Sequence, residues 1–171
     1  MFIPVTLQQI PKNLYQLCQI LQQGSEILKQ QYQNYCEGDD FEINKKQDHS
    51  PVTQADLLVN HFLIEQLSQL EGGYPILSEE GEHAQRHQWQ RFWMIDPLDG
   101  TKEFIKKTGE FTINLSLIDQ GDSVISALAV PLQQKIYINQ KGQVPYRYQW
   151  NEIGQLNVVK YEAKSAVVVD Q

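Results

Sequence analysis

Near residue 111 the spacing of apolar residues changes from a helical to a strand period, and that change limits the fold more than any other feature. Upstream, Leu14, Cys18, Leu21, Ser25, Leu28, Tyr32 and Tyr35 recur at steps of three and four. This spacing predicts a first helix over about 12–35. Gly24 lies at its centre, where glycine weakens a helix. A second helix is expected over about 54–70, with Thr53 as N-cap. Its apolar face would be Ala55, Leu58, Val59, Phe62, Leu63, Leu67 and Leu70, and Gly72-Gly73 would close it. Downstream, Phe111, Ile113, Leu115 and Leu117 alternate with Thr112, Asn114 and Ser116. A turn at Asp119–Asp122, a strand over Val124–Val130 and a hairpin around Lys141-Gly142 continue the pattern, with a last strand at Leu156–Val159. The fold class expected is α+β, a two-layer domain of two long helices packed on a mostly antiparallel sheet.

Between these blocks lie shorter features. Phe41-Glu42-Ile43 reads as a short strand, and Lys45 to Val52 as an extended loop, because Pro51 disfavours helix at Ser50. Tyr74–Leu77 and Phe92–Ile95 read as strands, and residues 81–91 as a polar loop or short helix. The final apolar run, Ala166 to Val169, reads as the entry to a further strand.

The chain's 171 residues, 41% of them hydrophobic, suffice for one domain with a core. A formal charge of -7 argues against broad nucleic-acid or anionic-membrane binding. It leaves room for a small phosphorylated ligand, because a bound cation reverses the local field. No apolar stretch approaches the roughly 18–20 residues of a membrane helix, and no signal-peptide pattern opens the chain. Cys18 and Cys36 lack Cys-x-x-Cys spacing and are expected to be a reduced, cytoplasmic pair.

The chemistry concentrates where strands and helices break. Asp96-Pro97-Leu98-Asp99-Gly100-Thr101-Lys102 follows the apolar run Phe92–Ile95. Alone, Asp-Pro and Asp-Gly are ordinary turn dipeptides, and the segment reads first as a polar turn. Asp56 falls on the first turn of the second helix, and Glu79 and Glu80 follow another strand. Such carboxylates would repel one another if they converged, so convergence would imply a cation. Magnesium takes oxygen ligands at about 2.1 Å and keeps waters for exchange. Lys102-Glu103-Phe104-Ile105 is a candidate short helix whose N-terminal amides would suit a phosphate oxygen.

Three segments in order carry a resemblance. Asp48-His49-Ser50-Pro51-Val52-Thr53-Gln54-Ala55-Asp56, Leu77-Ser78-Glu79-Glu80 and Trp93 to Ile105 are similar to the inositol monophosphatase superfamily. Ser-Pro-Val-Thr and Lys-Glu-Phe-Ile favour its 3'(2'),5'-bisphosphate nucleotidase branch, the bacterial CysQ-type enzymes. The resemblance implies a magnesium-dependent, lithium-sensitive phosphatase, with two or three ions in the complete site. It would remove the 3'-phosphate of adenosine 3',5'-bisphosphate, a by-product of sulfate activation, and release AMP. By matching position, Glu79, Asp96, Asp99 and the Leu98 carbonyl would bind metal. Asp56 and Thr101 would position and deprotonate the attacking water. Glu80 would support the ligands, and Glu79, Gly100, Thr101 and Lys102 would contact the substrate. No Gly-x-Ser-x-Gly or P-loop is present.

The resemblance covers about residues 12–150. Residues 1–160 are expected to form the metal-binding phosphatase domain. Residues 161–171 would be a tail leading toward a C-terminal α/β domain that this chain lacks. In the family that domain supplies a Trp-Asp motif, whose aspartate completes the metal site. Here Trp150 is followed by Asn151 instead, and Asp170 lies in no such motif. Three readings stay open: a weakly active phosphatase, a homodimer sharing ligands through the surface left uncovered, and a non-catalytic binder of a phosphometabolite or partner protein. Inositol phosphate or fructose bisphosphate are alternative substrates. The branch is cytoplasmic, with peripheral association with a bacterial inner membrane as the alternative.

Other residues carry weaker signals. Lys45, Lys46, Lys102, Lys106 and Lys107 would attract an anion or simply solvate the surface. His83 and His87 have zinc-pair spacing inside a polar loop. Trp89, Phe92 and Trp93 read as strand and core residues ahead of a base-stacking platform.

Overall fold

Two amphipathic helices supply one layer. Helix α1 (Lys12–Glu37) buries Leu14, Leu17, Leu21 and Leu28 along one stripe and ends at Gly38, a left-handed cap whose N–H donates to the Asn34 carbonyl. Helix α2 (Gln54–Ser68) starts at Thr53 in a reciprocal capping box with Asp56. It buries Ala55, Val59, Leu63 and Leu67, one residue per turn. Leu58, expected on that face, is instead 41% exposed, because the face runs through the four-residue steps and Leu58 lies off them. The computed structural model describes residues 2–38, 43–45, 51–81, 86–151 and 156–161.

The second layer is a sheet. The strands are β1 (Phe2–Pro4), β2 (Ile43–Lys45), β3 (Pro51–Thr53), β4 (Ile76–Ser78), β5 (Arg91–Asp99), β6 (Thr112–Asp119), β7 (Asp122–Val130), β8 (Lys135–Gln140), β9 (Tyr146–Trp150) and β10 (Leu156–Tyr161). Among the described residues the main sheet has eight strands in the order β1-β10-β9-β8-β7-β6-β5-β4, antiparallel except for the parallel pair β4 and β5. The two-layer α+β class is therefore as expected. Alternation sends Ile113, Leu115, Leu117, Ile125, Ala127, Ile136 and Ile138 under the helices. A bond from Trp150 Nε1 to Glu26 Oε1 at 2.6 Å ties β9 to α1. The opposite face carries Met94, Leu128 and Tyr137, all substantially exposed, and borders a groove of about 1080 Å³.

Three elements differ from the sequence reading. Pro51 and Val52, expected at the end of an extended loop, form β3 together with the N-cap residue Thr53 and pair with β2 as a hairpin; an edge strand tolerates Pro51, which has no N–H to donate. Phe2–Pro4 adds β1 to the sheet edge by pairing with β10. The strand expected over 92–95 runs to Asp99, with a register irregularity between Asp96 and Asp99. Pro97 breaks the ladder there, and the resulting bulge turns Leu98 and Asp99 out of register. Asp48–Ser50, Lys46, His83, residues 166–169 and Asp170 lie outside the described residues.

Candidate active site

The bulged end of β5 meets the N-terminus of α2 and the start of helix α3 (Thr101–Ile105). Gly100 makes the turn between β5 and α3. Its φ of 99° is left-handed, and a Cβ there would lie 2.7 Å from the Glu110 carbonyl oxygen and 3.2 Å from Phe111 Cα. Only glycine fits both conditions.

Asp56 is fully buried, and its carboxylate is surrounded by donors. Thr53 N–H donates to Oδ2 at 2.8 Å, and the Thr53 hydroxyl donates to the same oxygen. Thr101 Oγ1 lies 3.1 Å from Asp56 Oδ1 and 3.1 Å from the Leu98 carbonyl oxygen. One hydroxyl proton thus faces two acceptors. Burial pushes the Asp56 carboxyl above the ordinary carboxylate range, against the opposing pull of the Thr53 and Thr101 donors. Asp56 and Thr101, the pair singled out in the sequence, are in direct contact.

Glu79 and Asp96 also meet. Ser78 is paired with Ile95 in the parallel ladder, and Glu79 N–H donates to the Ile95 carbonyl at 3.1 Å, so the next residues stand side by side. Half-burial, then the Glu79 carboxylate and its hydrogen bond, then the Asp99 charge push Asp96 up to about 7. The Leu98 N–H, 3.2 Å from Asp96 Oδ1, opposes them. Like charges have been brought together here.

Asp99 does not complete a cage. Its carboxylate accepts from Asn114 Nδ2 at 2.9 Å. Among the described residues no three His, Cys, Asp or Glu side chains gather closely enough to hold a metal by themselves. The expected convergence of Glu79, Asp96 and Asp99 is therefore partial. Glu79 and Asp96 meet, while Asn114 offers Asp99 a neutral donor. The donor chemistry nonetheless fits a hard divalent cation. Every candidate donor atom is oxygen, and the Leu98 carbonyl keeps a second lone pair after accepting from Thr101.

The remaining expected residues fall around this centre. Glu80 N–H donates to Ser78 Oγ at 3.1 Å, and that hydroxyl donates to Asn60 Oδ1 at 2.6 Å. Lys102 is exposed on α3. His87 is exposed in a short helical turn, and Trp93 is buried in the core. Lys107 is folded back onto Tyr35. Cys18 and Cys36 are free thiols on one helix, 18 residues or about 27 Å apart along its axis. Asn114 and Asn60 were not singled out in the sequence. The signal for Asn114 was its strand parity, which places it opposite Asp96; Asn60 had none.

The chain is similar to known proteins over most of its length. Residues 11–170 match the inositol monophosphatase family. The 3'(2'),5'-bisphosphate nucleotidase CysQ of Salmonella typhimurium is 41% identical over 132 residues, covering 76% of this chain and 52% of that protein. Its counterpart in Escherichia coli K12 is 38% identical over 133 residues, with the same coverage of 76% and 52%. The crystal structure of CysQ from Bacteroides thetaiotaomicron superposes with a TM-score of 0.69 at 31% identity, covering 86% of this chain and 52% of that one. The chain thus spans about half the length of the curated relatives it matches. With a family match over nearly its whole length and this fold, the chain belongs to the inositol monophosphatase family.

Proposed function

We propose that this chain carries the metal and phosphate machinery of a magnesium-dependent phosphatase that removes the 3'-phosphate of adenosine 3',5'-bisphosphate and releases AMP. The observation that carries the reading is the Asp56–Thr101 hydrogen bond. It joins residues 45 apart in sequence at the strand end that also presents Asp96 and Asp99. A turn used only to reverse the chain has no need of a buried carboxylate from another helix. The names of the similar CysQ proteins support the substrate.

Magnesium would be held by Glu79, Asp96, Asp99 and the Leu98 carbonyl, and when bound it neutralises phosphoryl charge and acidifies a coordinated water. The chain's own residues handle the proton. The attacking water gives one proton to Thr101 Oγ1, which passes its own to Asp56 Oδ1. Burial makes Asp56 a stronger base than an exposed carboxylate, as a general base requires. The water oxygen then forms a bond to phosphorus as the bond to the ribose 3'-oxygen breaks, and that oxygen takes a proton from solvent. Gly100 and Thr101 N–H groups orient phosphate oxygens, and Lys102 adds positive charge.

The test is phosphate release from adenosine 3',5'-bisphosphate by the purified chain. The reading predicts slow, magnesium-dependent release that lithium suppresses and Asp96→Asn abolishes. Hydrolysis of inositol 1-phosphate or fructose 1,6-bisphosphate in preference would move the substrate to the sugar phosphates. Release that persists in Asp96→Asn would remove the site from the mechanism.

A further inference from the structure

Helix α3 has five residues, too few to hold its direction by its own backbone bonds. It ends in a paired cap: Lys107 N–H donates to the Phe104 carbonyl at 3.0 Å, and Thr108 N–H to the Glu103 carbonyl at 3.0 Å. The left-handed position of such a cap is usually glycine. Here it is Lys107, at φ 61°. A lysine in that conformation persists only where its surroundings hold it.

The side chain supplies the hold. Lys107 Nζ donates to the Tyr35 carbonyl at 2.9 Å and lies 4.4 Å from the centroid of the Tyr35 ring. That carbonyl is in the last turn of α1, where a cation is favoured. Tyr35 answers with its hydroxyl, which donates to the Ile105 carbonyl at 3.2 Å. The Tyr35 ring is parallel to Phe104, with centroids 6.1 Å apart. Phe104 is fully buried and also packs on Tyr32 and Phe111, at 5.2 and 5.1 Å. One end of α3 is therefore bonded to Asp56 through Thr101, and the other is clamped to α1.

We propose that Lys107 and Tyr35 form a latch that positions the Gly100–Thr101 turn, Lys107 acting through the orientation of α3 and not by touching a ligand. The inference rests on reading that turn as part of the phosphatase site. It predicts that strain at Lys107 is kept because the side chain fixes the turn, whereas a glycine would make the better cap and lose the clamp.

Lys107→Gly separates the two roles because they predict opposite signs. If Lys107 only caps α3, glycine leaves amide hydrogen exchange over residues 101–106 unchanged or slower. The latch predicts exchange there faster by about five- to tenfold, from the loss of a cation–π contact and a charged hydrogen bond at the surface. Lys107→Arg should restore the wild-type rate. Tyr35→Phe, which removes only the hydroxyl, should show a smaller rise. Calorimetric titration with magnesium chloride is the second readout, and Lys107→Gly should weaken binding by a similar factor. If the wild type binds no magnesium, the functional reading fails while exchange still decides the latch. Exchange in Lys107→Gly equal to or slower than wild type overturns the latch. Faster exchange with unchanged magnesium affinity overturns its positioning role.

Discussion

Replacing Gly100 by alanine should be among the most damaging small changes in this chain. Two effects add. Alanine at a left-handed φ of 99° costs about 1–2 kcal/mol relative to glycine. The new Cβ would also sit 2.7 Å from the Glu110 oxygen and 3.2 Å from Phe111 Cα, both backbone atoms that no rotamer change can move away. Overpacking of that kind costs about 1–3 kcal/mol, giving about 2–5 kcal/mol in total. Gly121→Ala is the control, because its φ of 87° is also left-handed but no heavy atom lies within 4 Å of the added Cβ. It should lose only the conformational part. Urea unfolding of both variants, with slopes compared to wild type, measures the difference. For a chain of this size the larger loss lowers Tm by about 4–20 °C. Equal losses in the two variants would refute the close packing of the turn on the segment that leads into β6, and with it the geometry that presents Thr101 to Asp56.

Gly24→Ala should act in the other direction. Its Cβ would meet Ile113 Cδ1 at 3.4 Å and Leu63 Cδ2 at 3.7 Å, ordinary contacts, so removing a mid-helix glycine should stabilise by about 0.5–1 kcal/mol in thermal unfolding. A loss instead would mean that the two helices cannot accept a methyl group where they cross. Thr53→Ala removes a helix cap and a donor to a buried carboxylate together, and should cost about 1–3 kcal/mol by urea unfolding, with Thr53→Ser retaining most of the stability. With a thiol reagent, Cys36 should react at once, and Cys18 only after denaturation, because Cys18 is 2% exposed and burial pushes its thiol well up. Two fast thiols would contradict the packing of α1.

The long elements were legible because their signals are local. Residues Leu14 to Leu28 and Ala55 to Leu67 carry the helical period, and Phe111 to Leu117 the strand period, so both layers follow from pattern alone. The misreadings concern pairing. Pro51 signals extended backbone equally in a loop and in an edge strand, and only the partner Ile43–Lys45 distinguishes the two. Phe2–Pro4 is too short to show a period, and its partner, Lys160 among others, is at the far end of the chain. The candidate site divides in the same way. Thr53 and Asp56 are three residues apart and form a motif readable as a capping box. That Asp56 reaches Thr101, or that Glu79 stands beside Asp96, depends on helix placement and parallel register, which no local pattern encodes. Those contacts came from family resemblance. Resemblance did not foresee that Asp99 would turn to Asn114, because that depends on the charge balance around it.

Glu79 and Asp96 stand together with the Asp99 charge near by, and we propose that they do so for a divalent cation. Thermal unfolding with and without magnesium, in wild type and Asp96→Asn, tests it most directly. Without metal, Asp96→Asn should unfold at a higher temperature than wild type, because it removes one of the repelling carboxylates. With magnesium at 100 times its dissociation constant, wild type should gain about 2.7 kcal/mol, a rise of about 5–10 °C, and the variant should gain almost nothing. An equal magnesium response in both proteins, or a metal-free variant less stable than wild type, would contradict the claim.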